Sequence, residues 1–260
     1  EETFFGIIEK KYKNLDFDNL GASSYSPSIY YSKIKQLLVQ GYKFKEIIVF
    51  LDLSDIHDDN VCYDLNKDVV SNKKIPKGQP GCRYEQHDNK YKVMTFLKKN
   101  MMISHEFIIL ISNYLEKYNI KEPNVKHWVV NNPRSDWTFK YNKNFYNNVT
   151  RDQALNTSLL HMNRLSSLLK ENNIKLSIAV YPWPGTLKYD VNDNLQKKIW
   201  SNFCSTKCYR FLDLMDPFFN ILSESDFMSV YEKLYIKNDV HFNVNGNRLI
   251  AENFLRIYKK

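Results

Sequence analysis

Apolar positions along the chain alternate between two periods. Thr3 to Lys13 carries Phe4, Phe5, Ile7, Ile8 and Tyr12 at helical spacing. Ser28 to Gln40 repeats that spacing through Ile29, Ile34, Leu37 and Leu38, and Gly41 is a natural stop. Between them, Phe17 to Leu20 reads as a short strand that ends in Gly21 and a serine-rich turn. Glu46 to Leu53 holds a continuous apolar run, the pattern of a strand buried on both faces. Thr150 to Asn172 is the clearest amphipathic helix, with Leu155, Leu159, Met162, Leu165 and Leu169 on one face. Lys175 to Tyr181 and Tyr209 to Leu214 read as strands, the first ending at Pro182-Trp183-Pro184. Asn194 to Phe203 and Asn245 to Tyr258 read as helices. Tyr91 to Tyr118 is mostly helical in pattern, while residues 55–89 and 120–148 read as long insertions. Loops of that length in a compact domain usually serve function or assembly.

Strands followed by helices, with little hairpin chemistry, predict an α/β fold whose parallel sheet is covered on both faces. No repeat and no linker divides the chain, so the expectation is one domain over residues 1–260. The first element is a helix, whereas a doubly wound unit begins with a strand. In the strand order 2-1-3-4-5 that first strand lies inside the sheet. On this pattern the chain lacks an interior strand, and two unpaired edges face a gap.

Composition narrows the class. Hydrophobic residues are 43% and charged residues 25% of 260, which excludes a disordered chain. The net charge of +8 comes from lysines scattered among Asn, Tyr and Ile in short doublets such as Lys73-Lys74. No dense basic stripe appears, so nucleic acid is not expected as a partner. The longest apolar runs are too short to span a bilayer. The chain opens at Glu1 without a signal-peptide pattern. Cys62 and Cys82 bracket the first insertion, and Cys204 and Cys208 lie one helical turn apart. Both spacings suit either buried thiols or disulfides of an exported protein, and neither suits zinc.

Four patterns fall at the carboxyl ends of predicted strands, where open α/β sheets bind ligands. Asn19 to Pro27 is a strand-to-helix turn whose backbone N–H groups suit either an anion or a helix cap. Asp52-Leu53-Ser54-Asp55 places polar groups after the most apolar strand. Asp55, His57, Asp58 and Asp59 are too contiguous for a metal site and read as a solvated loop. Tyr181 to Pro184 is a rigid aromatic wall that simple packing also explains. Asp239-Val240-His241 sets a carboxylate two residues before a histidine, so that Asp239 can hold Nδ1 and leave Nε2 as a general base. His105 and His161 sit inside helical patterns and read as structural.

These blocks resemble the SGNH (GDSL-type) hydrolases. The segment from Asp239 to Phe254 is similar to the last block of that superfamily, in its Asp-x-His branch with the alginate O-acetyltransferase-like proteins. Asn19 to Pro27 resembles the second block, and Ile47 to Asp55 the third, usually Gly-x-Asn-Asp. The resemblance implies a three-layer αβα, flavodoxin-like sandwich. It implies that His241 is the base and Asp239 its orienting acid, with Ser24 and Ser54 at the oxyanion positions. Asp55 and Trp183 would line the substrate site. The family's Gly-Asp-Ser block is absent, and Ser23, Ser26 and Ser54 do not stand where it belongs. The expectation is therefore that the nucleophile and the missing strand both precede Glu1, and that the fragment alone is inactive. The function so implied is a serine esterase or O-acyltransferase acting on acylated carbohydrate or another small ester, exported to the cell envelope and needing no cofactor or metal. The alternative is a non-catalytic carbohydrate-binding module of a surface-polysaccharide system. A nucleotide-binding flavodoxin-like reading lacks any Gly-rich phosphate loop.

Overall fold

Branched and large apolar side chains dominate three of the expected strand runs, and these pair into one parallel sheet. In the computed structural model, β1 (Glu46–Leu51) lies beside β4 (Lys175–Val180), which lies beside β5 (Arg210–Asp213). Val49 sits opposite Ile178, and Ile178 opposite Phe211. The structure describes residues 3–13, 16–73, 106, 125–141 and 149–258. The chain divides into two compact units, Glu1–Lys73 with Val125–Lys260, and Lys74–Asn124. The second lies outside the described residues apart from Glu106, and with it the helical stretch expected over Tyr91 to Tyr118.

Alternation along the strands divides the core between two faces. Val49, Leu51, Leu176, Ile178 and Val180 point to one face. They pack against α2 (Pro27–Val39), α5 (Arg151–Glu171) and α7 (Leu195–Lys207) through Ile34, Met162, Leu165, Leu169 and Trp200. Phe50 points to the other face, where its ring lies 4.8 Å from Phe4 of α1 (Phe4–Lys11) and 5.8 Å from Phe254 of α10 (Val244–Tyr258). The result is a three-layer α/β arrangement. The amphipathic pattern of α5 buries its expected face, and a reciprocal capping box of Thr150 and Gln153 starts the helix. No helix among the described residues is long and apolar enough to cross a membrane.

Two expectations are corrected. Phe17 to Leu20 is not a strand but a coil, with Phe17 packed 5.9 Å from Tyr12. A strand needs a neighbour for its backbone groups, and among the described residues none pairs with the outer edge of β1. The acidic run after Ser54 is not a solvated loop either. It forms α3 (Asp55–Val61), every residue of which is buried. A hairpin follows, β2 (Tyr63–Asn66) and β3 (Val69–Asn72), turning through Lys67 and Asp68 at φ 46° and 69°. Two positive φ values are what a type I′ hairpin turn requires, but Lys-Asp is not the usual Asn-Gly signature. Four further α-helices, α4 (His127–Val130), α6 (Pro184–Tyr189), α8 (Asp216–Ser223) and α9 (Phe227–Leu234), and a short 3-10 helix at Asp136–Thr138 complete the described elements.

Candidate functional site

The Asp239–His241 loop lies between α9 and α10 and is built by its neighbours. The Tyr231 hydroxyl accepts from the Asp239 N–H at 3.0 Å and donates to the Ile236 carbonyl at 2.8 Å. Asn238 takes a left-handed φ of 57°, and Tyr235 bridges to Phe242. Asn243 then starts α10, its Oδ1 accepting from Asn245 and Gly246 N–H at 2.9 and 3.1 Å. Gly246 is required there, because a Cβ would meet the Leu234 carbonyl oxygen at 2.1 Å.

Within this loop, His241 Nδ1 lies 2.5 Å from Asp239 Oδ1, and the His241 N–H donates to the same oxygen at 3.1 Å. The histidine side chain is 77% exposed, and Nε2 has no hydrogen-bond partner among the described residues. Burial pushes the Asp239 carboxyl up, but the hydrogen bonds and charge of His241 outweigh it and hold the acid below its usual range. The carboxylate therefore fixes the ring with Nε2 outward, the orientation a general base needs.

Contacts tie this loop to the ends of the strands. Tyr235 Oη donates to the Pro182 carbonyl at 2.9 Å, and the Tyr181 ring lies 5.8 Å from Phe242. Tyr181 and Trp183 in turn reach the end of β1. Asp52 Oδ2 accepts from Tyr181 Oη and Trp183 Nε1, each at 2.8 Å. Asp52 Oδ1 accepts from the Ser54 N–H at 2.8 Å and the Ser54 hydroxyl at 2.7 Å. Beside it, Asp55 Oδ2 accepts from Tyr30 Oη at 2.7 Å and the Asp52 N–H at 3.0 Å. Burial, and next the charge of Asp52, hold the Asp55 carboxyl well above its usual range. Burial also raises the phenols of Tyr30 and Tyr181, helped by these carboxylates.

The expected site residues thus fall into two groups. His241 and Asp239 form an accessible pair. Asp55, Trp183 and Ser54 are 2%, 6% and 7% exposed, and their polar groups already hold protein partners. Ser24 lies in the turn before α2 with a left-handed φ of 61°, the backbone state of a glycine position. Its carbonyl accepts from Tyr63 Oη at 2.9 Å, and its amide serves no described group.

The second insertion contributes a part that residue spacing does not reveal. Trp137, fully buried, donates its indole N–H to the Leu53 carbonyl at 2.9 Å. Arg134 grips the buried Asp58 carboxylate through Nε at 3.2 Å and through a terminal nitrogen. The Lys126 N–H donates to Asn238 Oδ1 at 3.2 Å. Residues 126–137 therefore touch the end of β1, α3 and the Asp239–His241 loop.

Ligand atoms of His57, Asp58 and Cys62 lie within 4.8 Å of one another. The set does not fit a metal, because Cys62 is disulfide-bonded and Arg134 occupies Asp58. Cys204 and Cys208 form a second disulfide. His161 bonds Asp59 at 2.8 Å, in keeping with a structural histidine. No family model, curated protein or solved structure matches the chain.

Proposed function

We propose that the protein is a serine esterase or O-acyltransferase acting on acylated carbohydrate. The observation that carries this reading is the Asp239–His241 pair, bonded at 2.5 Å with its ring exposed on a loop tied to the strand ends. His241 Nε2 takes the proton of a serine hydroxyl as it attacks the acyl carbonyl, and later returns it to the departing sugar oxygen. Asp239 holds the ring and stabilises the imidazolium. The Ser24 amide is the available oxyanion donor. Ser26 and Ser54 engage their hydroxyls with Asp59 and Asp52, so in this reading neither is the nucleophilic serine.

Acetyl release from p-nitrophenyl acetate and from acetylated xylan by the purified protein tests the reading. His241→Ala should lower kcat/KM about 100- to 10,000-fold, the usual weight of general-base catalysis. Unchanged turnover would overturn it. A second reading, the non-catalytic carbohydrate-binding module, is favoured by the engaged Ser54 hydroxyl. It is distinguished by binding of acetylated xylan without any turnover.

A further inference from the structure

The turn after β1 is the most heavily bonded polar feature beside the candidate site. An ionised carboxylate only accepts hydrogen bonds and has roughly four lone-pair positions. Asp52 has four donors at 2.7 to 2.8 Å, two from Ser54 and one each from Tyr181 and Trp183. It has no position left for a ligand. Its partners come from β1's turn and from the end of β4, so the carboxylate also fixes how these two strand ends meet.

We infer that Asp52 is a positioning residue that sets the polarity of this turn. It engages the Ser54 proton, so that Ser54 presents lone pairs to a hydroxyl-bearing ligand and no hydrogen to an oxyanion. Turning that proton outward would break a charge-assisted bond of 2.7 Å and leave Asp52 one donor short. The carboxylate charge two residues away would also repel a developing oxyanion. The site therefore favours an alcohol at Ser54, the acceptor side of an acyl transfer. The inference deepens the esterase reading and rests on it only where turnover is measured.

Acetate, a stable carboxylate with the charge of an oxyanion, is the probe. Its binding to the purified protein is followed at pH 7 by broadening of the acetate methyl signal. Asp52→Gly frees the Ser54 hydroxyl and should tighten acetate about tenfold, the scale of one hydrogen bond to a charged group. Ser54→Ala placed in that background should weaken acetate again, to the affinity left by removal of the Asp52 charge alone. A variant that merely loosened the structure would gain affinity with or without Ser54. Equal binding by wild type and Asp52→Gly, or equal binding by Asp52→Gly and the double variant, would overturn the inference. Asp52→Gly also leaves the Tyr181 and Trp183 donors without their carboxylate. Should it not fold, Ser54→Ala alone decides: it should change acetate affinity by less than about twofold, while a loss near the hundredfold scale of an oxyanion donor would overturn the inference. On p-nitrophenyl acetate, Asp52→Gly should turn over faster than wild type. Absence of turnover in every variant would count against the esterase reading and leave the acetate result standing.

Discussion

Asp239–His241 and Asp59–His161 are the same chemical pair in opposite settings. Each joins a carboxylate to a histidine Nδ1, at 2.5 and 2.8 Å. Asp59 is 1% exposed and also accepts from Ser26 Oγ at 3.1 Å, Ser28 N–H at 2.9 Å and Ser158 Oγ at 3.2 Å. It ties α2, α3 and α5 together. Among the described residues the Asp239 carboxylate bonds only within its own loop, and His241 stands 77% exposed. The bond itself therefore says little about role. In the proposed reading, what separates the two histidines is the exposure of the ring and the number of donors around the acid.

Damaging each acid in turn separates the two pairs. Asp239→Asn should lower kcat/KM on acetyl esters by up to about 10,000-fold, as loss of an orienting acid does, with the Tm unchanged. A small effect on turnover would remove the distinction. Asp59→Asn should instead cost about 3 kcal/mol or more, because an amide presents a donor to groups that need an acceptor in a buried site. Chemical denaturation checks this, and a loss within experimental error would contradict it. The pH dependence has a definite sign. Burial pushes the Asp59 carboxyl up, but the bonds from His161 and Ser28 outweigh it and hold it below its usual range. A carboxyl depressed in the folded state stabilises the fold above its unfolded pKa and loses that contribution as pH falls through the folded value. Wild type should therefore lose Tm on acidification below about pH 4, and Asp59→Asn should lose less.

Asp55 sharpens the contrast from the other side, with the smallest effect. Its folded pKa is raised, by burial and then by Asp52, so its contribution is complete at low pH and is lost as pH rises toward the folded value. Asn keeps the acceptor that Tyr30 and the Asp52 N–H use. Asp55→Asn should raise the Tm by a few degrees at pH 7 and leave it unchanged at pH 3. A lower Tm at pH 7 would show that the acid is ionised and stabilising.

The parts legible in the sequence are those that depend on near neighbours. The face of α5, the apolar run of β1 and the Asp-x-His spacing all carry their information within a few residues. Asp52 is different. Its outer partners, Tyr181 and Trp183, lie 129 and 131 positions away, and no periodicity links them. The same holds for Asp59 and His161, which are 102 positions apart. Acidic composition also misled: Asp58 and Asp59 sit in a buried helix because Arg134 and a ring of hydroxyls and His161 satisfy them. Phe17 to Leu20 has strand composition but no neighbouring strand among the described residues.

His241→Ala and His161→Ala are set side by side in one experiment. Turnover of p-nitrophenyl acetate and the Tm are measured for both. The expected result is that His241→Ala loses at least about 100-fold in kcat/KM at wild-type Tm, while His161→Ala lowers the Tm and keeps the turnover of its folded fraction. Wild-type turnover in His241→Ala would contradict the account.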